Sequence, residues 1–225
     1  MLDSSVWTAL ALSFKVATWA TLISALLAIV LAYFFTRRDF WGKEILDAIL
    51  TLPMVLPPTV LGYYLLVLLG QKGIIGAWLK SNFDLTLVFT WQGAVVASVL
   101  ITFPLIFKPA RSAFETISPI YEQAAKTLGL SALAIFFRVC LPLAWRTILT
   151  GVLLGFSRSL GEFGATLMIA GSIPGRTETL SLAVYQAVQN GQDDLANQLV
   201  GLMVLVCVIV LCLIKYLSRQ KGMRC

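Results

Sequence analysis

Ser118-Pro119-Ile120-Tyr121-Glu122-Gln123-Ala124-Ala125-Lys126-Thr127-Leu128-Gly129 and, further on, Val139-Cys140-Leu141-Pro142 form the stretch on which the fold turns. Pro119 suits a first helical turn, where its missing N–H would be unpaired anyway, and Gly129 suits a helix end. The pattern predicts a short helix, a glycine turn and a second short helix that ends at Pro142. Long apolar runs stand on both sides of it, so it reads as a compact polar knob between two membrane spans.

Those runs cover residues 16–35, 45–69, 85–107, 147–170 and 195–214. Each is near the ~20 residues that a helix needs to cross a hydrocarbon core at ~1.5 Å per residue. Composition agrees: 59% of the residues are apolar and 12% are charged, where a soluble domain has roughly a quarter charged. The predicted class is an all-α polytopic membrane protein with five transmembrane helices, built as one domain over 1–225 with its connecting loop at about 109–146. The first run is too long for a signal-peptide core and is followed by Arg37 and Arg38 rather than a small-residue cleavage site, so it is expected to stay in the membrane.

Basic residues set the orientation. The first connection carries Arg37, Arg38 and Lys43, the third carries Lys108, Arg111, Lys126, Arg138 and Arg146, and the tail carries Lys215, Arg219, Lys221 and Arg224. The opposing segments carry only Lys15, Lys72, Lys80 and Arg176. By the positive-inside tendency the C-terminus is predicted cytoplasmic and the N-terminus outside. The apolar piece 180–188 is too short to cross and reads as an outer or re-entrant helix after the Pro174-Gly175 turn.

Several function classes are excluded or weakened. The net charge of +6 is spread in short clusters between spans rather than in a binding stripe, which argues against nucleic acid. Cys140, Cys207, Cys212 and Cys225 show no paired spacing, so neither a disulfide nor a metal site is predicted, and no cofactor is implied. Histidine is absent, which removes the commonest general base. A polytopic membrane enzyme using Glu162, Asp47 and Ser157 is the weaker alternative. Gly42-Lys43 lacks both the upstream glycine and the following hydroxyl of a phosphate loop, so the chain is not expected to be an ATPase itself.

Two intramembrane features stand out. Leu52-Pro53-Met54-Val55-Leu56-Pro57-Pro58 holds three prolines, each without a backbone donor, so the second span must kink or break. Pro57 and Pro58 then either face a pathway or form a kink packed against neighbouring helices, since irregular backbone is tolerated at membrane depth only against protein or water. Phe103-Pro104 is predicted to kink the third span without further role. In the fourth, Phe156-Ser157-Arg158-Ser159-Leu160-Gly161-Glu162 sets Arg158 and Glu162 one helical turn apart. An arginine at mid-membrane costs about 2.5–3.5 kcal/mol, so the pair belongs in a protein interior or a water-filled route. Arg158 with Ser157 and Ser159 can offer charge and donors to an oxyanion, with Glu162 preventing tight trapping. Alternatively the two charges form a satisfied pair that fixes packing.

The knob resembles the Glu-Ala-Ala loop of ABC importer permeases, whose pattern is Glu-Ala-Ala, three residues, Gly, nine residues, then Ile-x-Leu-Pro. Gln123 stands in the glutamate slot with Glu122 just before it, and Val139 in the isoleucine slot. The resemblance implies a type I importer permease fold in which Glu122, Gln123, Ala124, Ala125, Gly129, Leu141 and Pro142 contact a separate ATPase. Ser159-Leu160-Gly161-Glu162-Phe163-Gly164 and Leu52 to Tyr63 are further similar to the molybdate permeases of the molybdate and sulfate group, and the likeness runs from about Trp7 to Lys215. That implies a multi-pass bacterial inner-membrane permease acting as a homodimer with two ATPase subunits and an external molybdate-binding protein. Sulfate, thiosulfate or tungstate are the alternative cargoes, and an ATP-independent secondary anion transporter is the alternative class.

Overall fold

A computed structural model describes residues 4–218, with side chains over 5–213. Arg219, Lys221, Arg224 and Cys225, and the side chain of Lys215, lie outside what is described. The described residues form helices and turns with no strand. In chain order the helices are α1 (Ser4–Arg37), α2 (Lys43–Thr51) with a 3-10 turn (Leu52–Met54), α3 (Pro58–Leu69), α4 (Ile74–Phe83), α5 (Trp91–Glu115) and α6 (Pro119–Thr127). There follow α7 (Ala132–Ile135), a π turn (Phe136–Cys140), α8 (Leu141–Leu160), α9 (Gly164–Ala170), α10 (Leu180–Gln189) and α11 (Asp193–Ser218).

Four helical stretches are long and apolar enough to cross a membrane: Ser5–Arg37, Trp91–Glu115, Ala132–Leu160 and Asp193–Leu213. A fifth crossing results if Lys43–Met54 and Pro58–Leu69 count as one broken span, bent by 108°. The break sits at the predicted prolines. Pro57 is extended, with ψ of 135°, and Pro58 opens α3 at the position where a missing N–H costs nothing.

Helix boundaries differ from the apolar runs in several places, and α1 begins at Ser4, well before the first run. Residues 85–90 are not helical, because Thr90 caps α5 by accepting from the Gly93 amide at 3.2 Å while the Phe89 amide donates to the Ile169 carbonyl at 2.9 Å. Instead α5 continues through Pro104 and Pro109 to Glu115, and the next crossing begins at Ala132, so the stretch between them narrows to residues 116–131. Pro142 does not end a helix either. It removes a backbone donor one turn after Arg138, and the wider π turn over Phe136–Cys140 absorbs the mismatch so that α7 runs on into α8. At the far end α8 stops at Leu160, and Gly161–Phe163 separate it from α9, where an unbroken span over 147–170 was predicted.

The core lies along α1 and α5, which run parallel: Lys15 lies over the Trp91 ring at 3.8 Å near the start of α5. Ser24 Oγ and Thr102 Oγ1 lie 2.7 Å apart at mid-length, and Phe35 meets Phe107 edge-on at 5.4 Å. Toward the Arg37 end, Phe35, Ile106, Phe107, Phe114, Ile135 and Cys140 are fully enclosed. A second cluster joins α1, α3, α5 and α9 through Ala20, Leu61, Leu65, Ala94, Ile101 and Ile169. The α1 residues Val6 and Ala17 pack near Leu199 and Val210 respectively, so α11 runs parallel to α1. Helix α10 packs its Leu180 and Ala187 into the Val6 cluster, which gives the predicted short piece at 180–188 a place between the starts of α1 and α11. The outward faces of α1 and α11 expose Leu22, Leu26, Val204, Leu205 and Ile209, a surface suited to hydrocarbon rather than water.

Candidate functional site

Two groups of predicted residues are set apart by the fold. The first is the knob. Ser118 caps α6 by accepting from the Ile120 amide at 3.5 Å. At the other end the Leu130 amide donates to the Ala125 carbonyl at 3.1 Å and the Gly129 amide to the Lys126 carbonyl at 2.9 Å, the paired bonds of a Schellman ending. That ending requires Gly129 at φ 78°, and a Cβ there would meet nothing within 4 Å. The glycine is therefore required by backbone conformation and not by crowding within this chain.

Glu122 and Gln123 point different ways. The Glu122 side chain is 12% exposed and forms an ion pair with Arg37 at the end of α1, while Cys140 Sγ donates to its Oε1 at 3.3 Å. Gln123 and Ala124 are exposed, and Ala125 alone of α6 is buried. Ile120, Tyr121 and Leu128 are exposed on this helix, as are Leu133 and Phe137 on the following turns. Leu141 and Pro142 start α8, with Leu141 packed on the buried cluster and Pro142 exposed. Arg37 and Cys140 were not among the predicted site residues. No local pattern ties an arginine at the end of the first span to a carboxylate in a distant loop.

The second group surrounds the broken span. A cavity of about 370 Å³ is lined by Pro53, Met54, Pro57, Pro58, Leu105 and Arg158, among others. The prolines and the arginine, distant in sequence, thus share one wall beside the middle of α5. Arg158 Nη1 lies 2.8 Å from Glu162 Oε2, with side chains 36% and 1% exposed. Glu162 lies beyond the end of α8, and its Oε1 accepts from the Ala165 amide at 3.0 Å, which holds the first turn of α9. Ser157 Oγ donates to the Leu153 carbonyl at 2.9 Å and is spent within its own helix. Ser159 is buried, and its hydroxyl has no hydrogen-bond partner among the described residues.

The cavity wall is held by close backbone approach. A Cβ on Gly62 would lie 2.8 Å from Ala165 Cα and 2.7 Å from Met168 Cβ. One on Gly164 would meet Thr59 Cγ2 at 3.1 Å and Pro58 Cβ at 3.3 Å. Helices α3 and α9 are therefore one unit, made possible by these two glycines. On the α2 side, Asp47 binds Lys108 at 2.8 Å and Arg111 at 2.7 Å, and Arg111 also reaches Glu115 at 2.7 Å. Asp47, Glu162 and Ser157, the residues named for the enzyme alternative, are each bonded to different partners.

Outside the crossings, two carboxyls have displaced titration. The hydrogen bond and charge of Lys43 hold Asp39 below its ordinary value. Burial pushes Glu178 up, against a smaller opposing hydrogen bond from Ser172. Glu178 borders a cavity of about 120 Å³ shared with Ser5, Gln186, Asn190 and Gln192.

Known proteins agree with this architecture. Residues 9–220 match the family described as "Binding-protein-dependent transport system inner membrane component". The molybdenum transport system permease protein ModB of Haemophilus influenzae is 42% identical, covering 94% of this chain and 93% of that protein. The Escherichia coli K12 protein of the same name is 41% identical, over 97% and 96% respectively. Among solved structures, a chain of a bacterial alginate ABC transporter, crystallised with an alginate-bound periplasmic protein, superposes with a TM-score of 0.76 at 15% identity, over 97% of this chain and 80% of that one. The fold is thus that of a type I importer permease, and the chain belongs to the binding-protein-dependent inner-membrane transport components, of the ModB type.

Proposed function

We propose that this chain is the permease subunit of an ATP-driven importer that carries molybdate across the inner membrane by alternating access, as a homodimer with two ATPase subunits and an external binding protein. The observation that carries the reading is the cavity at the broken second span, where Arg158 meets Pro57 and Pro58 beside the middle of α5. A tetrahedral oxyanion crossing there meets one cation already paired with Glu162 at 2.8 Å. Attraction is then enough for entry and too weak for trapping. Cargo selection falls to the external protein, in keeping with relatives named as parts of a molybdenum transport system.

Coupling is assigned to α6. Its exposed Ile120, Tyr121, Gln123, Ala124 and Leu128 suit a helix-in-groove contact with an ATPase. Because such ATPases act in pairs and each needs one coupling helix, two copies of this chain around a two-fold axis supply the set. The first connection and the α6 knob share one end of the molecule through Arg37 and Glu122, and their basic residues assign that end to the cytoplasm.

The test is uptake by the complete complex in proteoliposomes, with labelled molybdate and with tungstate and sulfate as competitors. ATP-dependent molybdate uptake that requires the external protein is expected. Uptake driven by an ion gradient without ATP would overturn the class, and a preference for sulfate would overturn the cargo.

A further inference from the structure

Helix α6 has little hydrophobic hold on the rest of the molecule. Of its nine residues only Ala125 is buried, and one methyl group contributes about 0.8 kcal/mol. The directional bonds to the membrane helices converge on a single carboxylate. Glu122 is paired to Arg37 in the last turn of α1 and accepts from Cys140 in the π turn at 3.3 Å.

Arg37 is itself held from below. Its guanidinium carbon lies 5.7 Å from the Tyr33 ring centroid, and Tyr33 packs against Phe114 of α5 at 5.5 Å and Phe136 of the π turn at 4.8 Å. Its charge is also favoured by the carbonyl end of α1. The guanidinium thus joins α6 to the ends of three membrane helices through one ion pair, with 23% of the Arg37 side chain exposed.

We infer that Arg37 is a positioning residue for coupling. A displacement of α6 by a docked partner passes to α1 and α8 through the Arg37–Glu122 pair and the Cys140 thiol, and not through apolar packing. The inference rests on the coupling role proposed above for α6, and it names the joint through which that role is exercised.

The experiment uses the complete transporter, permease with ATPase and binding protein, and reads molybdate transported per ATP hydrolysed. In Arg37→Gln the assembled complex is expected to keep hydrolysing ATP while transport per ATP falls by about tenfold, the range of a typical coupling free energy. Arg37→Lys, which keeps the charge, recovers part of the ratio, and the swap Arg37→Glu with Glu122→Arg recovers more than either of its single changes. An assembled Arg37→Gln complex with the wild-type ratio would overturn the inference. If Arg37→Gln does not assemble, the swap decides: an assembled swap with restored ratio supports the joint, and a swap that stays uncoupled or unassembled overturns it. A wild-type complex without ATP-dependent uptake would instead sink the proposed function itself, so the two failures are distinguishable.

Discussion

Arg158 carries the pathway proposal, and its surroundings dictate how it must be tested. Glu162 is nearly inaccessible, so removing the arginine alone strands a buried carboxylate, a change that costs about 3–5 kcal/mol for the fold as a whole. Arg158→Ala by itself would therefore confuse lost transport with lost stability. The double change Arg158→Ala with Glu162→Gln removes both charges and leaves an acceptor for the Ala165 amide. It is expected to assemble in normal amount and to lose molybdate uptake at least tenfold, and normal uptake would assign the pair to packing. Gly129 poses the complementary case. No atom of this chain blocks a side chain there, so Gly129→Ala should cost only the ~1–2 kcal/mol of a left-handed residue and leave most coupling intact. Gly129→Asp adds bulk and charge toward whatever docks, and should abolish ATPase binding or coupling. Equal coupling in both variants would remove Gly129 from the docking surface.

At the scale of elements, the unit formed by α3 and α9 explains how a span with three prolines stays ordered. Proline opens α3, Glu162 holds the first turn of α9, and the two short helices touch at Gly62, where no Cβ fits, and at Gly164, where one would be tight. Gly62→Ala forces backbone movement at Ala165 and is expected to destabilise by about 1–3 kcal/mol, read as a lower thermal midpoint in detergent. A variant as stable as wild type would mean that the two helices do not approach this closely. The π turn has a related logic, letting Pro142 lie inside a continuous helix and carrying Cys140 to Glu122.

At the scale of the whole molecule, the two ends differ in how they are tied. The Arg37 end is laced by the Arg37–Glu122 pair and the Asp47 network, whereas the opposite end holds Glu178 beside a small polar cavity. Burial raises the Glu178 pKa, so the folded state favours its protonated form. Its contribution is fully present below the ordinary carboxylate pKa and is lost as pH rises through the folded value. Glu178→Gln is therefore expected to raise the thermal midpoint at neutral pH, with a gain that shrinks as the pH falls into the carboxylate range. A gain independent of pH would show that charge burial is not its cause.

Much of this was readable from residues alone. Bilayer-length apolar runs give the crossings because hydrocarbon admits only chains that satisfy their own backbone. Three prolines announce the broken span because they lack donors, and Pro119 and Gly129 mark the ends of α6 because conformation there is local. The limits of the helices were less legible: α5 begins at a threonine cap inside an apolar run, α8 passes through Pro142, and the fourth crossing breaks at Gly161. The long-range pairings were decided only by tertiary structure. Whether Glu122 or Gln123 turns inward depends on Arg37, and whether Arg158 meets Pro57 and Pro58 depends on how the crossings pack. Periodicity and turn chemistry act over a few residues, whereas an ion pair between distant segments exists only once the helices are side by side.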